Sequence, residues 1–410
     1  MINLVSGFSE ALDAATAAQE LAAVVEAAVG GTEEISGAVI FSTAASGAAG
    51  VEIGDLLADR WPSARLVGTS FEGIVADGRV LRDRPAAIVL AWAVGEAEPI
   101  PLLLESDAFR EGDRAVEDLE AIFSEARGGV PISREDLILL FPDALGTTAL
   151  EPILEALHRR FGGAPIAGAA AVGVAGTPCS AWMTGESEPG GTLALIVPEG
   201  AGAMGCRLAQ ASGSRFASPW LRVGACRNRW IDELDEEPPL DWIRRQLGLE
   251  KDAPVAPFLD RLLVRIRPWN GASAGDAEVD LDSLPDESCV DFVERYVIGL
   301  NDRTGAISVA EGITRGAELA FALPDPDRAR GALREAIAGF DPGGVLLQFA
   351  CRARDESLYG DADLESAIVA HAAGTRPAVG TVAPFQLGPD ADGRSRILVH
   401  STLLAALGTD

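Results

Sequence analysis

The sequence predicts an α/β protein: two pseudo-symmetric halves of mixed β-sheets covered by helices, built from repeated βαβ-type units. Three observations predict it. An apolar strand, a polar break, an amphipathic helix, a small-residue turn built on Gly and a second apolar strand recur three times along the chain. From strand start to turn Gly each copy takes roughly 30 residues, slightly more in the third, which suits one strand–helix–strand crossover. The chain is also long and apolar, 410 residues with 48% hydrophobic side chains, enough for two to three domains with large cores.

The first element is a helix over 10–29. Leu12, Thr16, Leu21, Val24, Val25 and Ala28 make one face, and Gly30-Gly31 stops it. Copy one follows, with a strand at 38–42, a helix at 51–61 and a turn at Gly68. The segment 76–79 then reads as a hairpin turn, and 86–94 as a buried strand. A strand at 102–104 and a helix over 113–126, with Val116, Leu119, Ile122 and Phe123 inward, precede copy two. Copy two has its strand at 137–141, its helix at 150–161 and its turn at Gly168, and it ends in a strand at 193–197. Further strands are expected over 205–223. Residues 232–240 combine dense charge with Pro238-Pro239 and mark a boundary, so 231–258 should cross between an N-terminal domain of 1–230 and a C-terminal domain of 231–410. The second module opens with a helix at 241–247. Strands at 296–300 and 306–309 flank a hairpin loop, followed by a strand at 318–323 and a helix over 327–340. Copy three closes the chain, with a strand at 345–349, a helix at 364–373 and a turn at Gly380.

Composition narrows the function. Thirty-three basic against 62 acidic residues give a net charge of −29. That field repels phosphate backbones, so nucleic acid is a poor partner and membrane insertion is not expected. No window approaches the roughly 18 apolar residues that a spanning helix needs. The five cysteines are scattered with no Cys-x-x-Cys pair, and residues 1–9 carry no cationic leader. Both point to a reducing cytoplasm.

Among the candidate site residues, Gly68, Gly168 and Gly380 sit at equivalent turns, where bare backbone can approach a ligand or simply turn the chain. None opens a helix, so these turns are not phosphate loops. Cys351 ends an apolar strand beside Arg352 and Arg354. It reads either as a small buried hydrophobe or as a nucleophile with a lowered pKa, with His371 as the nearby base. His158, His371 and His400 are too few and too scattered for a metal site, although one His in an apolar pocket suffices for haem. Arg354 is expected to line a cleft with Cys351 and the Gly380 turn. There it would offer a bidentate donor to an acidic or carbonyl-bearing ligand, or pair instead with a surface acid such as Asp355 or Glu356.

Several segments resemble one family. Glu233-Leu234-Asp235 with Pro239-Leu240, the runs 296–300 and 312–319, Cys351 with Arg354, and 380–389 followed by His400-Ser401-Thr402 are similar to the C-terminal half of FIST proteins. Gly68-Thr69-Ser70 with Gly73, and Pro165-Ile166-Ala167-Gly168, resemble the turns of their N-terminal half. The resemblance implies a FIST_N plus FIST_C pair, a non-catalytic sensory module of bacterial signal transduction that binds a small ligand. Some members resemble haem-dependent nitric-oxide sensors, which leaves haem as a possible cofactor. The ligand-binding set implied here is Gly68, Ser70, Gly73, Gly168, Cys351, Arg354, Gly380 and Gln386. Gln386 stands where the family usually has Glu, and no acid follows Gly73. No output domain is recognised in the sequence, so a signal is expected to leave through a separate partner.

Overall fold

Apolar runs of strand length need cover on both faces, and the three found in the sequence are central strands. In the computed structural model they span Ile35–Thr43, Leu137–Phe141 and Val345–Cys351. The structure describes all residues except 1–3, 31–34, 94–97, 110–111, 147–149, 199–204, 251–252, 268–291, 311, 341–343, 391–392 and 410. Each central strand leads through a helix (Ala49–Arg60, Leu150–Arg160, Leu364–Ala373) to a parallel neighbour, Arg65–Phe71, Ile166–Ala169 or Ala378–Ala383. On its other side lies an antiparallel strand, Ala87–Ala93, Thr192–Val197 or Ser401–Thr409. Beyond that comes an edge strand, Leu4–Ser9, Ile100–Leu104 or Gly205–Ser212. Three six-stranded mixed sheets therefore share one strand order.

The last two strands of each sheet come from a different copy. The hairpin Gly73–Ala76 with Arg79–Arg82 follows copy one but pairs with Ala378–Ala383 of copy three. The hairpin Ser180–Met183 with Glu186–Pro189 follows copy two and pairs with Arg65–Phe71 of copy one. The hairpin Gln386–Pro389 with Ser395–Leu398 follows copy three and pairs with Ile166–Ala169 of copy two. The exchange is cyclic and ties the three sheets together. Its first hairpin turns where the sequence places it, with Asp77 at φ 49° and Gly78 at φ 75°, as a tight two-residue hairpin turn requires.

The inner faces of all three sheets share one core, centred on Phe41, Phe141 and Phe349. The Phe41 and Phe141 ring centroids are 5.1 Å apart, and those of Phe141 and Phe349 5.9 Å. The outer faces carry helices. Ala14–Val29 and Ala49–Arg60 cover the first sheet, Gly112–Ala126 and Leu150–Arg160 the second, and Pro326–Ala338 with Leu364–Ala373 the third. The first helix buries Ala14, Ala17, Ala18, Leu21, Ala22, Val25 and Val29, with Leu12 and Val24 turned outward. The face read from the sequence is corrected here. The helix lies close to the sheet, and alanines permit that approach better than branched side chains.

The chain divides into two compact units, residues 1–212 with 330–410, and residues 213–329. All three six-stranded sheets belong to the first. The second holds a seven-stranded antiparallel sheet, from Ser214–Phe216 through Glu318–Pro324, Leu221–Arg227, Trp230–Leu234, Ala306–Val309 and Val293–Asn301 to Leu263–Arg267. Its last strand pairs back on Glu318–Pro324, which closes it like a barrel around Val223, Ile231, Val264, Val297, Ile307 and Leu319. The repetition read from the sequence as two pseudo-symmetric halves is thus distributed as three like sheets in one unit and a closed sheet in the other. Residues 213–329 interrupt copy three between its edge strand and its first helix. The segment 231–258, expected to cross between domains, lies inside the second unit, where Asp235 and Glu236 (φ 44° and 68°) make a tight turn before the helix Pro239–Gln246.

Because strands 378–383 and 386–389 complete sheets begun before residue 170, a fragment of residues 1–237 is expected to show no cooperative melt by circular dichroism. Co-expression with residues 238–410 should restore one. A transition from 1–237 alone as sharp as that of the intact chain would contradict the dependence of the second and third sheets on strands from the C-terminal part.

Candidate functional site

In parallel strand pairs, ligands collect beyond the carboxyl ends, where loops diverge and backbone groups stand free. The structure has three such ends in one place. Register pairs Ile40 with Gly68, Leu140 with Gly168 and Gln348 with Gly380. One residue beyond the first member of each pair stands Phe41, Phe141 or Phe349, the central aromatic layer. Three beyond stands Thr43, Asp143 or Cys351, all buried. Four beyond stands Ala44, Ala144 or Arg352, and four beyond the glycines stands Glu72, Val172 or Pro384. All six of these last residues line a cavity of about 480 Å³, together with Ala45, Asp83, Leu145 and the loop 173–177.

The layer beneath is tied to backbone. Thr43 Oγ1 donates to the Arg84 carbonyl at 2.7 Å, Asp143 Oδ1 accepts from the Cys179 amide at 2.9 Å, and Cys351 Sγ lies 3.8 Å from the Pro384 carbonyl. Ser70 secures the loop: its Oγ donates to the Val172 carbonyl at 2.6 Å, and its own carbonyl accepts from the Val172 amide at 2.8 Å. The charged groups of the lining are Arg352, Glu72 and Asp83. Arg352 Nη1 lies 3.7 Å from Glu72 Oε2, with the two side chains 59% and 35% exposed.

The residues singled out by sequence fall into three groups. Ser70, Cys351 and Gln386 are buried close to the strand ends; the Gln386 Nε2 donates to the Ala383 carbonyl at 3.4 Å and its Oε1 has no partner. The glycines are strand residues rather than turns, which corrects the expectation. A Cβ on Gly168 would lie 2.0 Å from the Leu140 carbonyl oxygen, and one on Gly380 1.9 Å from that of Gln348. One on Gly68 would meet the Trp182 ring at 2.4 Å. They let strands and the exchanged hairpins close up, as does Gly73 against Arg82. Arg354, finally, is buried beside the strand end with its guanidinium held by Glu365 through Nε at 2.9 Å and through Nη2, while Nη1 donates to the His400 carbonyl at 3.3 Å. Tyr359 and Thr402 also donate to Glu365, Thr402 at 2.6 Å.

Sequence reading therefore chose Arg354 where the lining holds Arg352, and it missed Asp83 and the loop 172–177. The signal was available: aligning the three first strands on Phe41, Phe141 and Phe349 sets Arg352 opposite Ala44 and Ala144, and aligning the second strands on their glycines sets Glu72 opposite Val172 and Pro384. Among the described residues, none that lines the cavity is His or Cys. His371 is exposed at the end of its helix.

Burial works against the Arg354 charge, but Glu365 beside it holds the guanidinium above its usual pKa. Burial, opposed by Arg354 and reinforced by Glu365, pushes the Tyr359 phenol up. Burial, then Asp143, pushes the Cys179 thiol up to about 12. His400 is 1% exposed, and burial, then Arg354, lowers its imidazole to about 3 from an ordinary 6.5. The unfolded chain accepts that proton below pH 6.5 and the folded one does not until about 3. The stability that this group contributes is therefore full above pH 6.5 and is lost progressively as pH falls toward 3. Urea titrations across this window should show that pH dependence from His400 in the native protein and its absence in His400→Asn, in which Asn tolerates the φ of 50°.

Known proteins place this arrangement. The FIST N domain family model matches residues 37–237 and the FIST C domain model residues 239–385. An uncharacterized protein of Mycobacterium tuberculosis is 26% identical over 405 residues, covering 93% of this chain and 94% of the relative. An uncharacterized protein of Mycobacterium bovis is 27% identical over 340 residues, covering 81% and 80%. The two family models together run from the first central strand to the end of the third sheet's parallel strand, and the chain belongs to the FIST family, whose domains are sensory domains of signal transduction.

Proposed function

We propose that this chain is a non-catalytic sensor of a bacterial cytoplasm. It takes a small ligand with an acidic or carbonyl-bearing group into the cavity at the strand ends and signals through a separate partner. The observation that carries the reading is Arg352, a guanidinium placed where the two other copies have alanine. Its contact with Glu72 is longer than a hydrogen bond and partly exposed, and such pairs contribute about 0–1 kcal/mol. A ligand oxygen making a charge-assisted hydrogen bond to the same guanidinium gains more, about 1.5–3 kcal/mol. Arg354, engaged by Glu365 and the His400 carbonyl, supports the strand end from below.

The lining favours this reading over the two alternatives. Haem calls for an axial ligand and a nucleophilic thiol for an accessible sulfur; among the described residues the lining includes neither His nor Cys, and Cys351 is fully buried. A Soret band in freshly purified protein would favour the haem reading instead. Among the described residues no helix is long and apolar enough to cross a membrane.

Arg352→Ala is expected to weaken binding of whatever small molecule co-purifies by about 10- to 100-fold, with the melting temperature of the emptied protein unchanged. Native mass spectrometry and calorimetry read both quantities. Unchanged retention in Arg352→Ala would remove Arg352 from the site.

A further inference from the structure

We propose that the ligand is an aliphatic organic acid with a single negative charge, and that Glu72 and Asp83 set that limit. This rests on the cavity being the ligand site and on Arg352 as its cation. The walls are Ala44, Ala144, Leu145, Val172, Val174 and Pro384, with Leu145 and Val174 half-exposed at the rim. Among the described residues no aromatic side chain lines the cavity, so a planar base or ring finds nothing there to stack on. Hydrocarbon chains need only such aliphatic walls, against which each buried methylene is favourable.

Charge sets the other limit. The lining carries one guanidinium and two carboxylates. One ligand carboxylate satisfies Arg352. A second ligand charge, or the nearly double charge of a phosphate, must face Glu72 or Asp83 inside a molecule of net charge −29. Like charges brought together across a binding surface repel, and specificity is often built from such repulsion. Glu72 stands where the other copies carry Val172 and Pro384, so the acid is a feature of this one position in the ring. The two carboxylates act as a filter: they leave a monoanion its place on Arg352 and turn away dianions of the same length.

The test is a calorimetric titration of the emptied full-length protein with butanoate, hexanoate, butanedioate, hexanedioate, inorganic phosphate and the α-amino acids of matching length. Butanoate or hexanoate should bind at least about tenfold tighter than its dicarboxylate, and Glu72→Gln with Asp83→Asn together should close most of that gap by admitting the dicarboxylate. Equal or tighter binding of a dicarboxylate or phosphate to the unaltered protein overturns the inference. So does an amino acid that outbinds its matching monocarboxylate, since the acids would then be receiving an ammonium. So does failure of every monocarboxylate to bind. In that last case the broader reading is judged separately: a co-purified molecule lost in Arg352→Ala keeps the site and rejects only this ligand class.

Discussion

The meeting of Phe41, Phe141 and Phe349 is the contact on which the rest of the first unit depends. Each ring comes from the central strand of a different sheet, at the position just past a glycine-paired residue. Edge-on and tilted packing at 5–6 Å is favourable beyond the area buried, and it fixes the depth at which the three strands cross. With that level fixed, the residues three and four positions further are bound to emerge together. A floor of Thr43, Asp143 and Cys351 and a lining of Ala44, Ala144 and Arg352 follow from strand geometry alone.

The exchanged hairpins keep that geometry closed. Each supplies the register partner of a strand glycine, Trp182 for Gly68, Leu387 for Gly168 and Val75 for Gly380, and the Trp182 ring occupies the space beside Gly68. Trp182 also packs into the space of Gly54 on the crossover helix, so one indole locks strand, helix and foreign hairpin together. A sheet completed by another copy cannot form early or alone, since its pairing joins residues far apart in sequence. Function then resides in departures from likeness. Where three copies present equivalent positions, small apolar residues at most of them make the cavity, and Arg352 and Glu72 give it a polar side.

Much of this was legible in the sequence. Strands 137–141 and 345–349 and the helices behind all three central strands were found within a few residues, because apolar runs and helical periods are local properties. The family followed from motif order. What stayed hidden was non-local or depended on facing. A hairpin's sequence does not say whose edge it will join. A Gly before an apolar run looks like a turn, yet here it sits inside a strand because the neighbouring backbone comes within reach of its Cα. The charged, Pro-rich run 232–240 marked a tight turn within an inserted unit. From the sequence Arg354 is expected to line the cleft or to pair with Asp355 or Glu356, but it folds back onto Glu365, while Arg352 lines the cavity.

The central claim is that the convergence of six strand ends is where this protein meets its ligand. The most direct measurement is a crystal structure of protein purified from its native host without exhaustive dialysis. Electron density for a small molecule against Arg352, between Glu72 and the loop 172–177, is the predicted result. A bound molecule lodged elsewhere, for instance against His400 under the helix Leu364–Ala373, with the strand-end cavity holding only solvent, would contradict the account.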